Sequence, residues 1–259
     1  KLTVSQIKDL LKEQDAESVD GNLLQALAAD SRIGVQNIYQ DLMRQREKDL
    51  CERMRLEKLF KYEAKLYSEG VRYIAGVDEA GRGPLAGPVV AAAVAIDRND
   101  VYALKQLGVR DSKALSPRMR EKVLEELTSR DIIYKVQAAS PNRIDRDNIL
   151  QATLWAMGKA ICGLPVVPDV VIVDGSFAVP GVPYLQRAIP KADKHILVVS
   201  AASIIAKVTR DKVMEIYDRL YPGYGFASHK GYPTVEHRRA LMAMGPSPIH
   251  RKTFRWKEV

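Results

Sequence analysis

The sequence changes its pattern near Gly70, and this change limits the folds open to the chain more than any other feature. Before Gly70 polar residues dominate, and apolar residues recur at helical spacing, as at Ile7 and Leu10. After it, short apolar segments alternate with helix-period segments, which is typical of a mixed sheet with helices on its faces. We therefore predict a helical N-terminal extension over residues 1–69 and an α/β domain over residues 70–259.

Within the extension, a long segment from about residue 35 to residue 68 is rich in Arg, Lys and Glu, with apolar residues interspersed. This pattern predicts a helix. Two interpretations remain open for it: an exposed packing helix or linker, and an arm that binds nucleic acid.

The α/β domain contains five short apolar segments that predict strands. They lie at residues 72–77, 88–96, 132–138, 170–173 and 196–199. Helices are predicted at residues 116–130, 142–162, 200–221 and 234–244. The first of these helices begins at Ser116, an N-cap residue followed by Pro117. The proline-rich stretch between the fourth and fifth predicted strands is interpreted as a loop.

Composition narrows the class of protein. Lys and Arg number 40 against 32 Asp and Glu, a formal charge of +8. Such a charge favours a polyanionic partner, although a solvated basic surface would give the same count. Cys51 and Cys162 lack metal-ligand spacing, which favours a reduced, cytoplasmic protein over one built on disulfides. No stretch is apolar enough to span a membrane and the first residues do not resemble a secretory signal, so no membrane partner is expected.

The first candidate site lies in the stretch Gly76–Pro88, GVDEAGRGPLAGP. Asp78 and Glu79 end an apolar strand, so their side chains start toward opposite faces unless the strand end twists. Paired carboxylates are costly without a cation, and oxygen ligands suit Mg²⁺ or Mn²⁺. An acidic pair alone is more typical of a solvated turn. The glycines beside it, at Gly81–Gly83, favour a site because they allow close backbone approach to a ligand.

Two further acids follow apolar segments. Asp174 ends VVIVDG, and Asp193 precedes the run that begins at Ile196. Each taken alone is a common turn residue. Together with Asp78 and Glu79 they make four carboxylates on separate segments, enough to hold two divalent ions that activate a water for phosphodiester hydrolysis.

The stretch Tyr224–His237 combines aromatic and basic side chains. Tyr232 and its neighbours could stack on sugars or bases while Lys230 meets a phosphate. An irregular loop with its aromatic side chains in the core fits the sequence equally well. Beyond it lies a predicted basic tail. Its members are His250, Arg251, Lys252, Arg255 and Lys257.

Five motifs together resemble the ribonuclease HII family, in that family's order. They are GVDEAGRGPLAGPVV, the DSK of residues 111–113, IVDG, AASIIAKVTRD and HKGYPTxxH. The resemblance covers roughly residues 71–254. Arg82 favours ribonuclease HII over the related ribonuclease HIII family, which typically lacks an arginine between these glycines.

The resemblance implies a fold and a set of site residues. The implied fold is RNase H-like, a mixed five-stranded sheet flanked by helices with a small helical C-terminal part. The implied metal-binding and catalytic residues are Asp78, Glu79, Asp174 and Asp193. Gly81, Arg82 and Gly83 would recognise the ribose 2′-OH, and Tyr232 would pack against the nucleotide beyond the scissile bond. Ser112 and Lys113 would lie near the substrate backbone.

The resemblance also implies an activity. It is that of an endoribonuclease that uses Mn²⁺ or Mg²⁺, hydrolyses the RNA strand of RNA–DNA hybrids and cuts 5′ of ribonucleotides embedded in duplex DNA. A metal-activated water would leave a 3′-OH and a 5′-phosphate, as ribonucleotide removal and RNA primer processing require. We expect a monomer. Two alternatives stay open: another RNase H-like enzyme, such as a transposase or resolvase, and a nucleic-acid-binding module without activity.

Overall fold

The computed structural model describes residues 2–12, 18–106 and 115–256, so the predicted substrate-binding residues Ser112 and Lys113 lie outside the described residues. The chain divides into two compact units, residues 1–58 and residues 59–259. The division falls inside one long helix, earlier than the boundary at residue 69 that the change of pattern predicts.

The first unit is helical, as the periodicity predicts. It contains α1 (Val4–Lys12), α2 (Gly21–Ala28) and the beginning of α3 (Ile33–Ser68). A small apolar cluster holds these helices together, because the helical spacing puts its members on facing sides. Its buried members are Ile7, Leu27, Val35 and Ile38.

The second unit is built on a mixed five-stranded sheet, which confirms the predicted fold class. The strands are β1 (Ile74–Ala80), β2 (Val89–Ile96), β3 (Ile133–Ala139), β4 (Val170–Asp174) and β5 (Leu185–Ile189). Their order across the sheet is β3-β2-β1-β4-β5. The pairs β1–β2 and β2–β3 are antiparallel, whereas β1–β4 and β4–β5 are parallel.

Helices flank this sheet and continue beyond it. They are α4 (Arg98–Gln106), α5 (Pro117–Ser129), α6 (Pro141–Asp147), α7 (Ile149–Cys162), α8 (Leu197–Leu220), α9 (Phe226–His229) and α10 (Val235–Met244). Ser116 caps α5 as predicted, accepting the N–H of Met119. The helix predicted over residues 142–162 is two helices, because Asn148 takes a φ of 66° and caps the second. Within the described ranges, none of the helices could cross a membrane.

The fifth strand is not where the sequence predicts it. The apolar run 196–199 was expected to be a strand, but Ile196 is the N-cap of α8 and the following residues form its first turn. A short buried apolar run cannot be assigned to strand or helix from periodicity alone. The actual strand, β5, lies in the stretch interpreted as a loop. Its residues are only partly buried or exposed, so its apolar pattern is weak.

Close packing of β1 against α8 positions the site. One face of the sheet packs on α7 through alternate residues such as Ala91 and Ala93. On the other face, a Cβ at Gly76 would lie 2.7 Å from the backbone of Val198 in α8. Only glycine permits this approach, and it brings Asp78, two residues along the same face, beside α8.

Candidate active site

The four predicted acidic residues line one cavity of about 270 Å³. Asp78 and Glu79 lie near the end of β1, and Asp174 ends the neighbouring parallel strand β4. Asp193 lies in a short 3₁₀ turn, Ala192–Lys194, just before α8. The parallel pairing of β1 and β4 brings the carboxyl ends of both strands to the same edge, so three elements deliver the carboxylates to one place.

Asp78 and Glu79 reach the same cavity although neighbouring strand residues start toward opposite faces. Asp78 is 5% exposed and is hydrogen-bonded to the side chain of Ser203 on α8. The Glu79 side chain is 12% exposed and accepts a hydrogen bond of 3.2 Å from Nη1 of Arg82. Both side chains are largely buried, and both line the wall of the cavity.

Burial dominates the electrostatics of the pair, and the charge of Asp174 adds to its effect on both acids. Desolvation raises the pKa of Asp78 well above its ordinary value, and the charges of Glu79 and Asp174 raise it further. Desolvation also raises the pKa of Glu79, against the opposing effect of Arg82. A bound cation would relieve this repulsion and favour the ionised carboxylates.

Hydrogen bonds also hold Asp174 and Asp193: the first contacts the 3₁₀ turn, and the second contacts α8. Oδ1 of Asp174 accepts the N–H of Ala192 at 2.7 Å. The carbonyl of Asp193 accepts the hydroxyl of Ser200, in the second turn of α8. These contacts fix the 3₁₀ turn against the end of β4.

The donor set has the chemistry of a site for a hard divalent cation, since all four side chains offer carboxylate oxygens. Among the described residues, however, no group of three His, Cys, Asp or Glu side chains is arranged closely enough to hold a metal ion. Protein donors hold three of the carboxylates instead: Ser203 at Asp78, Arg82 at Glu79 and the Ala192 N–H at Asp174. The residues therefore fit such an ion by type and by shared cavity, and loading would exchange these hydrogen bonds for metal bonds.

The two glycines around Arg82 have different physical roles. Gly81 takes a φ of 97°, and a Cβ there would overlap the side chain of Arg210 at Nε. At Gly83 the nearest atom to such a Cβ would be Cε1 of Tyr232, at an ordinary contact distance of 3.6 Å. Gly81 is therefore required by the fold, whereas Gly83 leaves an open surface beside Tyr232.

The aromatic side chains of the stretch Tyr224–His237 separate into two groups. Phe226 is fully buried and stacks on the buried Tyr224, with ring centroids 5.2 Å apart. These two belong to the core, as the alternative interpretation held. Tyr232 is 44% exposed and lines the cavity of the acids.

The histidines near this loop are structural. His237 is fully buried; one of its ring nitrogens contacts Nε2 of His250 at 3.0 Å and the other contacts the carbonyl of Tyr232. His229 stacks on His237 with a centroid distance of 4.3 Å. The group thus supports the backbone that carries Tyr232.

The predicted basic tail is wrong at its start. His250 is 7% exposed because it packs against the rings of Tyr224 and Phe226. Arg251 is only 3% exposed because it packs under residues 81–88, the glycine loop of the site. Their charge pattern in the sequence does not reveal that backbone carbonyls from a distant segment accept the Arg251 hydrogen bonds.

Three side chains of α8 also belong to the site, although the sequence motifs did not single them out. Ser203, Lys207 and Arg210 all line the cavity. Their spacing of four and three residues puts them on one helix face, and that spacing in AASIIAKVTRD is the signal that could have found them.

Comparison with known proteins identifies the family. A family model described as Ribonuclease HII matches residues 75–258, most of the chain. This chain belongs to the ribonuclease HII family. A second model, described as Ribonuclease HII N-terminal domain, matches residues 3–67, a segment whose role the motifs left open.

Individual relatives agree with this assignment. Ribonuclease HII of Geobacter sulfurreducens is 50% identical over 194 residues, covering 75% of this chain and 87% of that protein. Ribonuclease HII of Clostridioides difficile is 41% identical over 252 residues, covering 97% of this chain and 96% of that protein. The crystal structure of ribonuclease H2 from Pyrococcus horikoshii OT3 has a TM-score of 0.61 at 34% identity, covering 70% of this chain and 93% of that one. The chain is accordingly a metal-dependent hydrolase of the ribonuclease H class, which confirms the enzyme class that the motifs imply.

Proposed function

We propose that this ribonuclease HII family member cuts the RNA strand of RNA–DNA hybrids and cuts 5′ of single ribonucleotides embedded in duplex DNA. The observation that carries the proposal is the shared cavity. Four carboxylates, the Gly81–Gly83 segment and Tyr232 line it together. Acids for phosphodiester hydrolysis and exposed backbone for reading a sugar therefore meet in one place.

Recognition of the sugar is assigned to the Gly81–Gly83 segment. A 2′-OH both donates and accepts hydrogen bonds, and it is the group that distinguishes RNA from DNA. Exposed backbone can read such a group where no side chain keeps it away. The open space at Gly83 beside Tyr232 allows the sugar to approach while the tyrosine ring packs on the next nucleotide.

Asp78, Glu79, Asp174 and Asp193 would hold Mn²⁺ or Mg²⁺. A bound divalent ion supplies an activated water and stabilises the leaving oxygen. Lys207 lines the same cavity and donates to Oδ1 of Asp211 at 2.7 Å, and its ammonium would meet a phosphate of the bound strand.

The reaction is a hydrolysis. The water oxygen bonds to the phosphorus on the 5′ side of the ribonucleotide, and the bond from phosphorus to the preceding O3′ breaks. The departing O3′ takes up a proton, so the products are a 3′-OH upstream and a 5′-phosphate on the ribonucleotide. No serine or cysteine nucleophile takes part.

The cellular setting follows from this chemistry. An enzyme that reads one 2′-OH in a duplex serves ribonucleotide removal, a form of DNA repair, and RNA primer processing. We propose that it works in the cytoplasm as a monomer. Ser112 and Lys113, which resemble the family's DSK motif, are proposed to contact the substrate backbone.

Cleavage of a duplex with one ribonucleotide tests the proposal, with an all-DNA duplex and an RNA–DNA hybrid as comparisons. We expect product ends at the 5′ side of the ribonucleotide and negligible cutting of DNA. Glu79→Gln should slow cleavage about 10³-fold or more, roughly 4 kcal/mol of transition-state stabilisation. Glu69→Gln makes the same change at an exposed carboxylate and should cut normally. Comparable cutting of all-DNA duplex, or normal turnover by Glu79→Gln, would refute the assignment.

A further inference from the structure

Arg251 holds the backbone of the glycine loop from beneath. Its guanidinium donates to the carbonyl of Gly81 at 2.6 Å, to that of Arg82 at 2.8 Å and to that of Gly87 at 3.0 Å. The residue is 3% exposed, so water does not compete for these bonds. One side chain therefore binds three carbonyls of an irregular loop.

The backbone around Arg251 is itself fixed to the same loop. Its N–H donates to the carbonyl of Leu85 at 2.8 Å, and the N–H of Gly87 donates to the carbonyl of Ile249 at 2.9 Å. The ring of Phe254 lies 4.9 Å from the guanidinium carbon and confines it from another side. The guanidinium thus has a fixed position relative to the loop.

These bonds determine where two N–H groups point. In a trans peptide, the carbonyl of one residue and the N–H of the next point in opposite directions. No peptide bond in the described residues is cis. With the carbonyls of Gly81 and Arg82 directed at Arg251, the N–H groups of Arg82 and Gly83 point away from it, to the side where both residues are exposed and line the cavity.

Arginine is suited to this role by shape and charge. Its planar fork offers donors in fixed directions, which a lysine ammonium does not. Burial, and then the neighbouring charge of Arg210, lowers the pKa of Arg251 to about 9, so the group remains a cation at neutral pH. The cost of burying this charge is met by carbonyl oxygens, which hold the loop in place.

We propose that Arg251 is a positioning residue for sugar recognition: by fixing two peptide planes of the glycine loop, it aims the N–H groups of Arg82 and Gly83 at the ribose. This inference rests on the proposed function. It makes discrimination between ribose and deoxyribose depend on a residue that does not itself face the cavity.

Binding measured in EDTA, where no turnover occurs, tests the inference. The readout is the ratio of two dissociation constants, that for an all-DNA duplex over that for the same duplex with one ribonucleotide. We expect Arg251→Lys to bring this ratio about 3- to 10-fold closer to one, the range that loss of one net hydrogen bond produces. Lys252→Gln removes an exposed neighbouring charge and should weaken both duplexes alike, leaving the ratio unchanged.

The outcomes separate the two proposals. A wild-type ratio near one would overturn 2′-OH recognition and the inference with it. A wild-type ratio well above one that Arg251→Lys preserves would overturn the inference alone. If Arg251→Lys does not fold, hydrogen exchange on the wild-type protein decides: the ribonucleotide duplex, and not the DNA duplex, should slow exchange of a peptide spanning residues 82–83. Equal slowing of exchange by both duplexes would contradict the proposal that these N–H groups bind the ribose.

Discussion

Removing the N-terminal unit tests where the catalytic fold begins. We predict that a chain starting at residue 59 folds and cleaves, whereas a chain starting at residue 69 does not fold stably. The change of pattern near Gly70 predicts the opposite for the second truncation, namely a folded core. The structure places residues 59–68 in the compact unit of the sheet, so the last turns of α3 belong to that core.

The expected difference can be worked out from the contacts of those ten residues. Leu59 and Leu66 are 4% and 1% exposed, and burial of each contributes about 1.5–3 kcal/mol. The Tyr67 hydroxyl donates to the carbonyl of Ile96, worth about 1 kcal/mol. Glu63 is fully buried and accepts the N–H of Val198 at the start of α8, a hydrogen bond worth about 1 kcal/mol.

Together these contacts amount to about 5–8 kcal/mol as an upper estimate, which is comparable to the whole stability of a typical domain. Denaturant unfolding followed by circular dichroism measures the difference between the two truncations. The chain starting at residue 59 should retain a cooperative transition, and the chain starting at residue 69 should lack one or unfold at much lower denaturant. Equal transition midpoints would refute the assignment of these residues to the core.

Two further predictions concern the glycine loop and the buried histidines. Gly81→Ala should lower the melting temperature markedly, because a φ of 97° strains an alanine and its Cβ would overlap the Arg210 side chain. Gly83→Ala should leave thermal unfolding almost unchanged while slowing ribonucleotide cleavage, and the reverse order of melting temperatures would contradict this reasoning. Burial, and then the charge of His237, lowers the pKa of His250 to about 4, below its unfolded value of about 6.5. The unfolded chain therefore binds the proton first, so the stabilisation is complete above about pH 6.5 and is lost as pH falls toward 4. His250→Gln should flatten this dependence in denaturant titrations between those pH values, and an unchanged slope would exclude His250 as its source.

Much of the fold could be predicted because its strongest signals are local. The strand β2 is buried along its whole length and its sequence is correspondingly apolar. The start of α5 at Ser116 follows from a side chain that caps its own helix. The strand β5 gave no such signal, since its residues face partly to solvent and its pairing with β4 depends on contacts distant in sequence.

The same distinction applies to the site. Asp78, Glu79 and Asp174 lie at the ends of apolar strands and close to glycines, so their positions are visible in the sequence. Arg251 is separated from Gly81 by 170 positions, and a basic residue among other basic residues is more typical of an exposed tail. Only the folded chain shows that its partners are carbonyls.

Two buried arginines, Arg210 and Arg251, hold the irregular loop that is proposed to read the sugar. Residues 81–88 form no regular strand or helix through most of their length, so their carbonyls need partners from elsewhere. Arg251 supplies them to Gly81, Arg82 and Gly87, and Arg210 donates to the carbonyls of Ala86 and Pro88. Guanidinium groups thus replace the hydrogen bonds of a sheet while leaving the opposite edge of the loop available to a ligand. Backbone recognition requires this combination, because a loop free to rotate its peptide planes would pay the ordering entropy on binding and lose selectivity.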